Sequence, residues 1–147
     1  MKFPHLFLSC LALAFISVAA AKPRVVEITA NDQMKFSLTK IEAKPGEEIT
    51  VVLTNNGTLP KEAMGHNWVL LKAGSDAAAF STAAAAAKDS DYLPASLKDE
   101  VIAHIPTLGP RKSGQVTFKA PEAGEYPFLC SFPAHYSVGM KGTLVVK

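Results

Sequence analysis

Four short runs of this sequence alternate apolar and polar residues with a period of two: Val26, Ile28 and Ala30; Ile49, Val51 and Leu53; Val116 and Phe118; and Leu144 with Val146. A period of two puts successive side chains on opposite faces of an extended chain, which is the pattern of half-buried strands and not of amphipathic helices. Turn-forming clusters fall between the runs, at Pro45-Gly46, Asn55-Asn56-Gly57, Leu108-Gly109-Pro110, Pro121 to Gly124 and Gly139. Short strands punctuated in this way predict an all-β domain, an antiparallel sandwich or barrel. One segment departs from the pattern. Gly74 to Lys88 is rich in alanine, the strongest helix former, with Ser75 placed as an N-cap, so an α-helix is expected over about residues 76–88 as an insertion between strands. A helix of about thirteen residues is marginal alone, and this one is expected to pack on the sheet through Phe80.

The first residues read as an export signal. Lys2 supplies the positive start, Leu6 to Ala21 is apolar apart from Ser9, Cys10 and Ser17, and Ala19-Ala20-Ala21 offers a small-residue cleavage site. The apolar run of about 16 residues is short of the roughly 20 needed to span a bilayer. Residues 1–21 are therefore expected to be a signal peptide cleaved near Ala21, with a periplasmic product. Leu8-Ser9-Cys10 loosely resembles the end of a lipidation box, an alternative that would leave almost no apolar segment before the cut. Residues 22–147, about 126 in number, suit one domain and are too few for two ordinary ones. The formal charge of +2 falls to about +1 without Lys2, and the remaining bases are scattered along the sequence, so nucleic-acid binding is not expected.

Without residues 1–21, Cys130 is the only thiol, which excludes a disulfide within the domain. A lone Cys in an exported protein is a partner in an intermolecular bridge, a reactive thiol, or a group tied up in some other way such as metal ligation. Cys130 is followed by His135 and Met140 at equal spacing, and His66 lies upstream in Met64-Gly65-His66-Asn67-Trp68. One thiolate, two imidazoles and a weak thioether make the ligand set of an electron-transfer copper site. The spacing brings them together if Leu129-Cys130 ends one strand, residues 141–147 form the next, and His66 starts another. The competing reading is a buried free Cys with surface histidines and a core Met; His₂Cys can also hold zinc. Trp68 and Phe128 read as core, and the acidic group Asp89, Asp91, Asp99 and Glu100 reads as the solvated end of the helical insertion.

The ordered stretches 31–36, Leu59-Pro60-Lys61, Met64 to Leu70, Asp91-Tyr92-Leu93, 101–104, Val116 to Phe118, Cys130 to Pro133, His135 and Met140 to Leu144 give the chain a resemblance to the azurin and auracyanin group of small blue copper proteins. The resemblance covers nearly all of residues 22–147 and implies a Greek-key β-sandwich or barrel, the cupredoxin fold. It implies one type 1 copper ion with His66, Cys130 and His135 as equatorial ligands, Met140 as the axial thioether and the Gly65 carbonyl as a weak opposite contact. Asn67 and the Phe132 backbone N–H would bond the ligand loop and the Cys sulfur. His104 matches a surface residue outside the copper site. Four residues separate His135 from Met140, as in the auracyanin-like loop, where azurins commonly have three. The azurin disulfide is missing, with Gly46 and the region near Arg24 in its place. Asn55 stands where azurins often carry a titrating His, which implies a potential that varies little with pH near neutrality.

The function implied is single-electron transfer by a monomeric carrier, not an enzyme. Transient redox partners would meet an apolar collar of Met64, Phe132, Pro133 and Ala134 around an exposed edge of His135. A copper-delivery role would call for labile ligands, several Met or a Cys pair, and the chain after residue 21 has only Met34, Met64 and Met140. A copper enzyme would need a second metal site, and no spare His cluster supplies one.

Overall fold

A computed structural model describes residues 22–147, so the segment expected to be a signal peptide lies outside the described residues. Among the described residues, nine strands form two sheets: β1 (Arg24–Asn31), β2 (Lys35–Phe36), β3 (Lys40–Ala43), β4 (Glu48–Asn55), β5 (His66–Leu71), β6 (Val101–Leu108), β7 (Ser113–Lys119), β8 (Gly124–Leu129) and β9 (Lys141–Val146). One sheet runs β2-β1-β4-β7 and the other β3-β9-β8-β5-β6. They make an open sandwich, not a closed barrel. The pairing is not wholly antiparallel as expected, because β1 lies parallel to β4 and β3 parallel to β9. Parallel neighbours need long crossovers, and here those connections carry the chain from one sheet to the other.

The period-2 residues occupy the inner faces as the pattern requires. Ile28, Ile49, Val51, Leu53 and Leu144 are at most 1% exposed. Trp68 sits between the sheets with ring centroids 5.5 Å from Phe128 and 6.1 Å from Phe118. Trp68 and Phe128 are thus core, and burial of such rings contributes about 2 to 3 kcal/mol each. β5 is buried along its whole length. Trp68 and Leu70 face the opposite sheet, while Val69 and Leu71 point the other way and need a second cover.

The alanine-rich insertion supplies it. Helix α2 (Ala77–Ala84) follows a four-residue helix α1 (Lys61–Met64) that sequence patterning did not anticipate. Phe80 is fully buried, as expected of the residue that anchors the helix. The N-cap is Asp76 and not Ser75: Asp76 Oδ1 accepts the N–H groups of Ala78 and Ala79 at 3.0 Å. The helix also stops short of Lys88. The N–H groups of Ser90 and Tyr92 both take the Ala87 carbonyl, and Asp91 and Tyr92 adopt left-handed φ of +55° and +60°, which turns the chain back toward the sheet. Asp91 leaves the expected solvated cluster for the same reason, since its Oδ2 accepts the Thr107 N–H at 2.8 Å and ties the turn to β6.

Candidate metal centre

Strand ends place the three strongest ligand candidates. His66 opens β5, Cys130 follows directly after β8, and His135 lies on the loop that leads to β9. Their donor atoms lie within 4.8 Å of one another, and the three side chains are 0%, 0% and 2% exposed. The Nδ1 atoms of His66 and His135 are 3.2 Å apart, and Cys130 Sγ is 3.4 Å from His135 Nδ1. The loop is folded by its own backbone: Met140 donates to the His135 carbonyl at 3.0 Å, and Cys130 donates to the Met140 carbonyl at 3.1 Å. Ala134 and Gly139 take φ of +68° and +97°, the tight reversals that let eleven residues return beneath themselves. Met140 is fully buried beside this turn.

Gly65 precedes His66 at a place with no room for a side chain. A Cβ there would meet the Thr107 methyl at 2.5 Å and the Lys61 carbonyl at 2.7 Å. β5 and β6 also slip register between His66 and Trp68, leaving β6 one extra residue opposite Asn67. Such a bulge re-aims side chains. Asn67 Nδ2 donates to Ser131 Oγ and the Ser131 N–H donates to Asn67 Oδ1, both at 2.8 Å, so the strand carrying His66 is tied to the loop carrying Cys130. Ser131 Oγ donates onward to the Tyr92 carbonyl at 2.8 Å, joining the insertion to the centre. Ser131 and Tyr92 were not singled out from sequence. Adjacency to Cys130 was the available signal for Ser131, and nothing local marked the Tyr92 carbonyl.

The apolar collar differs in detail from expectation. Phe132 is buried between Tyr92 and His135, with centroids 4.8 Å from each, and His135 itself has almost no exposed edge. Ala134 is exposed, Met64 and Pro133 are half-buried, and Val138, on the same loop as Pro133 and Ala134, is 50% exposed. His104 is exposed on β6, apart from the cluster.

The electrostatics of the cluster define what it fits. Burial pushes the Cys130 thiol up to about 12, although the Asn67 and Phe132 backbone N–H groups act on its sulfur in the opposite sense. Burial, and then the neighbouring His66, hold His135 down to about 4. Burial also lowers His66, opposed by the Asn31 backbone and the Asp32 charge. His66 Nε2 is nonetheless a buried atom without a well-formed hydrogen bond, so the Asn31 contribution is weak. Both rings are therefore neutral at pH 7, the form that ligates metal, and the thiol lacks only a positive partner to ionise. A borderline-soft cation supplies that charge, so the donor set fits copper.

Known proteins agree with this arrangement. Residues 24–147 match the model of the family described as copper binding proteins, plastocyanin/azurin family. The azurin of Pseudomonas chlororaphis is 43% identical over 126 residues, covering 83% of this chain and 97% of that protein. The azurin of Bordetella pertussis is 41% identical over 138 residues, covering 91% of each. Among solved structures, the reduced auracyanin of Roseiflexus castenholzii superposes with a TM-score of 0.75 at 36% identity, covering 87% of this chain and 99% of that one. Auracyanin A of Chloroflexus aurantiacus, a blue copper protein, gives 0.76 at 34% identity, covering 86% and 100%. With its fold, its buried His₂Cys cluster and these relatives in agreement, the chain belongs to the plastocyanin/azurin family of copper binding proteins.

Proposed function

We propose that the protein is a periplasmic, monomeric carrier of single electrons, with one copper ion held by His66, Cys130 and His135. Convergence of these three buried donors is the observation that carries the reading. Bound there, copper supplies one-electron chemistry through its Cu(I) and Cu(II) states. The chain's part is to hold the donors still. The reciprocal Asn67–Ser131 bonds and the closed loop fix their positions, so little must rearrange when the charge changes. Met140 would add its thioether and Gly65 its carbonyl to these donors; burial of Met140 and the tight packing at Gly65 support both roles. Removal of residues 1–21 precedes folding in the periplasm; among the described residues, no helix is long and apolar enough to cross a membrane. Partners dock transiently on the surface formed by Met64, Pro133, Ala134 and Val138.

Full burial of the donors opposes a copper-delivery role, which needs ligands within reach of an acceptor. The deciding measurement is the visible spectrum of the protein, lacking residues 1–21, with Cu(II) added. An intense thiolate-to-copper band that disappears in Cys130→Ser is expected. Its absence from the unmutated protein would sink the proposal, and a colourless protein retaining zinc would replace copper with zinc.

A further inference from the structure

The bases of this chain are scattered in sequence, but the fold gathers several at one end. Residues 32–39, 56–65, 109–112 and 130–140 form the end of the sandwich where His66, Cys130 and His135 meet. These segments carry Lys35, Lys61, Arg111 and Lys112 against Asp32 and Glu62, and the turn at residues 88–91, which lines a cavity with Lys61, adds Lys88, Asp89 and Asp91. All five bases are exposed, and none is in an ion pair among the described residues. The Asp32 carboxylate is engaged by the Thr58 N–H and hydroxyl and by the Leu59 N–H. At the other end, by contrast, Arg24 is paired with Glu47 and Lys147 with Glu42.

Three of the free bases share one surface. A Cβ on Gly109 would lie 3.4 Å from Lys61 Cβ, so the loop bearing Arg111 and Lys112 rests against α1. Arg111 sits at the loop tip with φ of +57°, a conformation that residues other than glycine avoid. Asn55 holds it there: its carbonyl accepts the Arg111 N–H at 2.8 Å, and its N–H donates to the Lys112 carbonyl at 2.9 Å. Leu59, 43% exposed, lies on the neighbouring segment. Because Leu108 pairs with His66, this basic surface begins directly beside the strand end that presents the metal ligand.

We infer that Lys61, Arg111 and Lys112 form a landing surface for a redox protein whose own electron-exchange face is acidic. The inference rests on the electron-carrier reading. Unpaired like charges within about 10 Å of one another act together on an approaching anion, and such steering raises association rates by about 10 to 10³ at low salt. Three bases flanked by apolar Leu59 suit a small transient protein interface. A nucleic acid would need a longer basic tract.

Two oxidants of opposite charge test it: hexacyanoferrate(III), an anion, and tris(phenanthroline)cobalt(III), a cation, each taking one electron from the reduced copper-loaded protein. The unmutated protein should react faster with the anion at low salt and lose about tenfold of that rate as salt is raised. The triple variant Lys61→Glu, Arg111→Asp, Lys112→Glu should reverse both preferences while keeping its visible spectrum. The pair Lys61→Gln, Lys112→Gln, which leaves the Arg111 turn intact, should fall between them. A second readout needs no copper: redox-inert hexacyanochromate(III) should broaden the amide resonances of residues 59–62 and 109–112 in the metal-free protein. Equal salt dependence in all three proteins, or broadening centred elsewhere, overturns the surface. Copper uptake without electron exchange to either probe overturns the carrier reading instead, and the broadening result still decides the surface.

Discussion

Acid should weaken the metal-free protein in a window set by its two buried histidines, His66 and His135. His135 is held down to about 4 in the fold, against 6.5 for an ordinary imidazole. Between these values the unfolded chain binds a proton that the folded chain refuses, so stability is present at pH 7 and lost as pH falls from 6.5 toward 4. At about 1.36 kcal/mol per pH unit the full difference is about 3 kcal/mol, of which about 2 is lost by pH 5. His66 is displaced in the same direction and adds to the loss. The paired carboxylates of Glu42 and Glu47 are lowered instead, so their contribution disappears only below about pH 5. The interval from pH 7 to 5 therefore isolates the imidazoles. Guanidinium unfolding of metal-free protein at several pH values in that interval measures the effect, and His135→Gln should remove much of it. A stability that is flat between pH 7 and 5, or one that falls equally in the variant, would refute the reasoning.

Other outcomes follow from single contacts. Gly65→Ala drives a methyl into Thr107 and the Lys61 carbonyl, so it should cost about 1 to 3 kcal/mol and weaken the visible band, read by unfolding and by spectrum. Phe80→Ala empties the anchor of α2 and should cost about 3 to 5 kcal/mol in denaturant titration while the band keeps its wavelength. The reduction potential should vary little between pH 6 and 8, because the Asn55 amide, which bonds the Leu108 carbonyl and the Gly57 N–H, does not titrate; voltammetry showing a large shift would contradict this.

Much of the sandwich was legible because its strands obey the simplest rule. Where one face is buried, as in β1, β4 and β9, alternation is written directly into the residues. β5 hides on both faces and reads as a nearly continuous apolar run, so His66 marked its start better than its periodicity did. β6 does alternate, with Ala103, Ile105 and Thr107 buried, but the extra residues opposite β5 interrupt the register that a sequence pattern presumes. The cluster of His66, Cys130 and His135 could be read because thiols and imidazoles are few in this sequence and Cys130 and His135 lie close together in it, although His66 is far upstream. The Tyr92 carbonyl, the Asp91 turn and the basic surface could not, because each depends on segments distant in sequence meeting in space.

The parallel pairing of β3 with β9 has a consequence for assembly. Lys40 finds its partner Thr143 across roughly a hundred residues, and Cys130 bonds the Met140 carbonyl only once β9 has drawn the loop closed. Contacts of such long range are slow to form. β9, last in chain order of the described strands, thus both joins β3 to the rest of the five-stranded sheet and brings the loop over the thiol. A chain halted before Lys141 would carry His66, Cys130 and His135 without the strand that closes the loop around them.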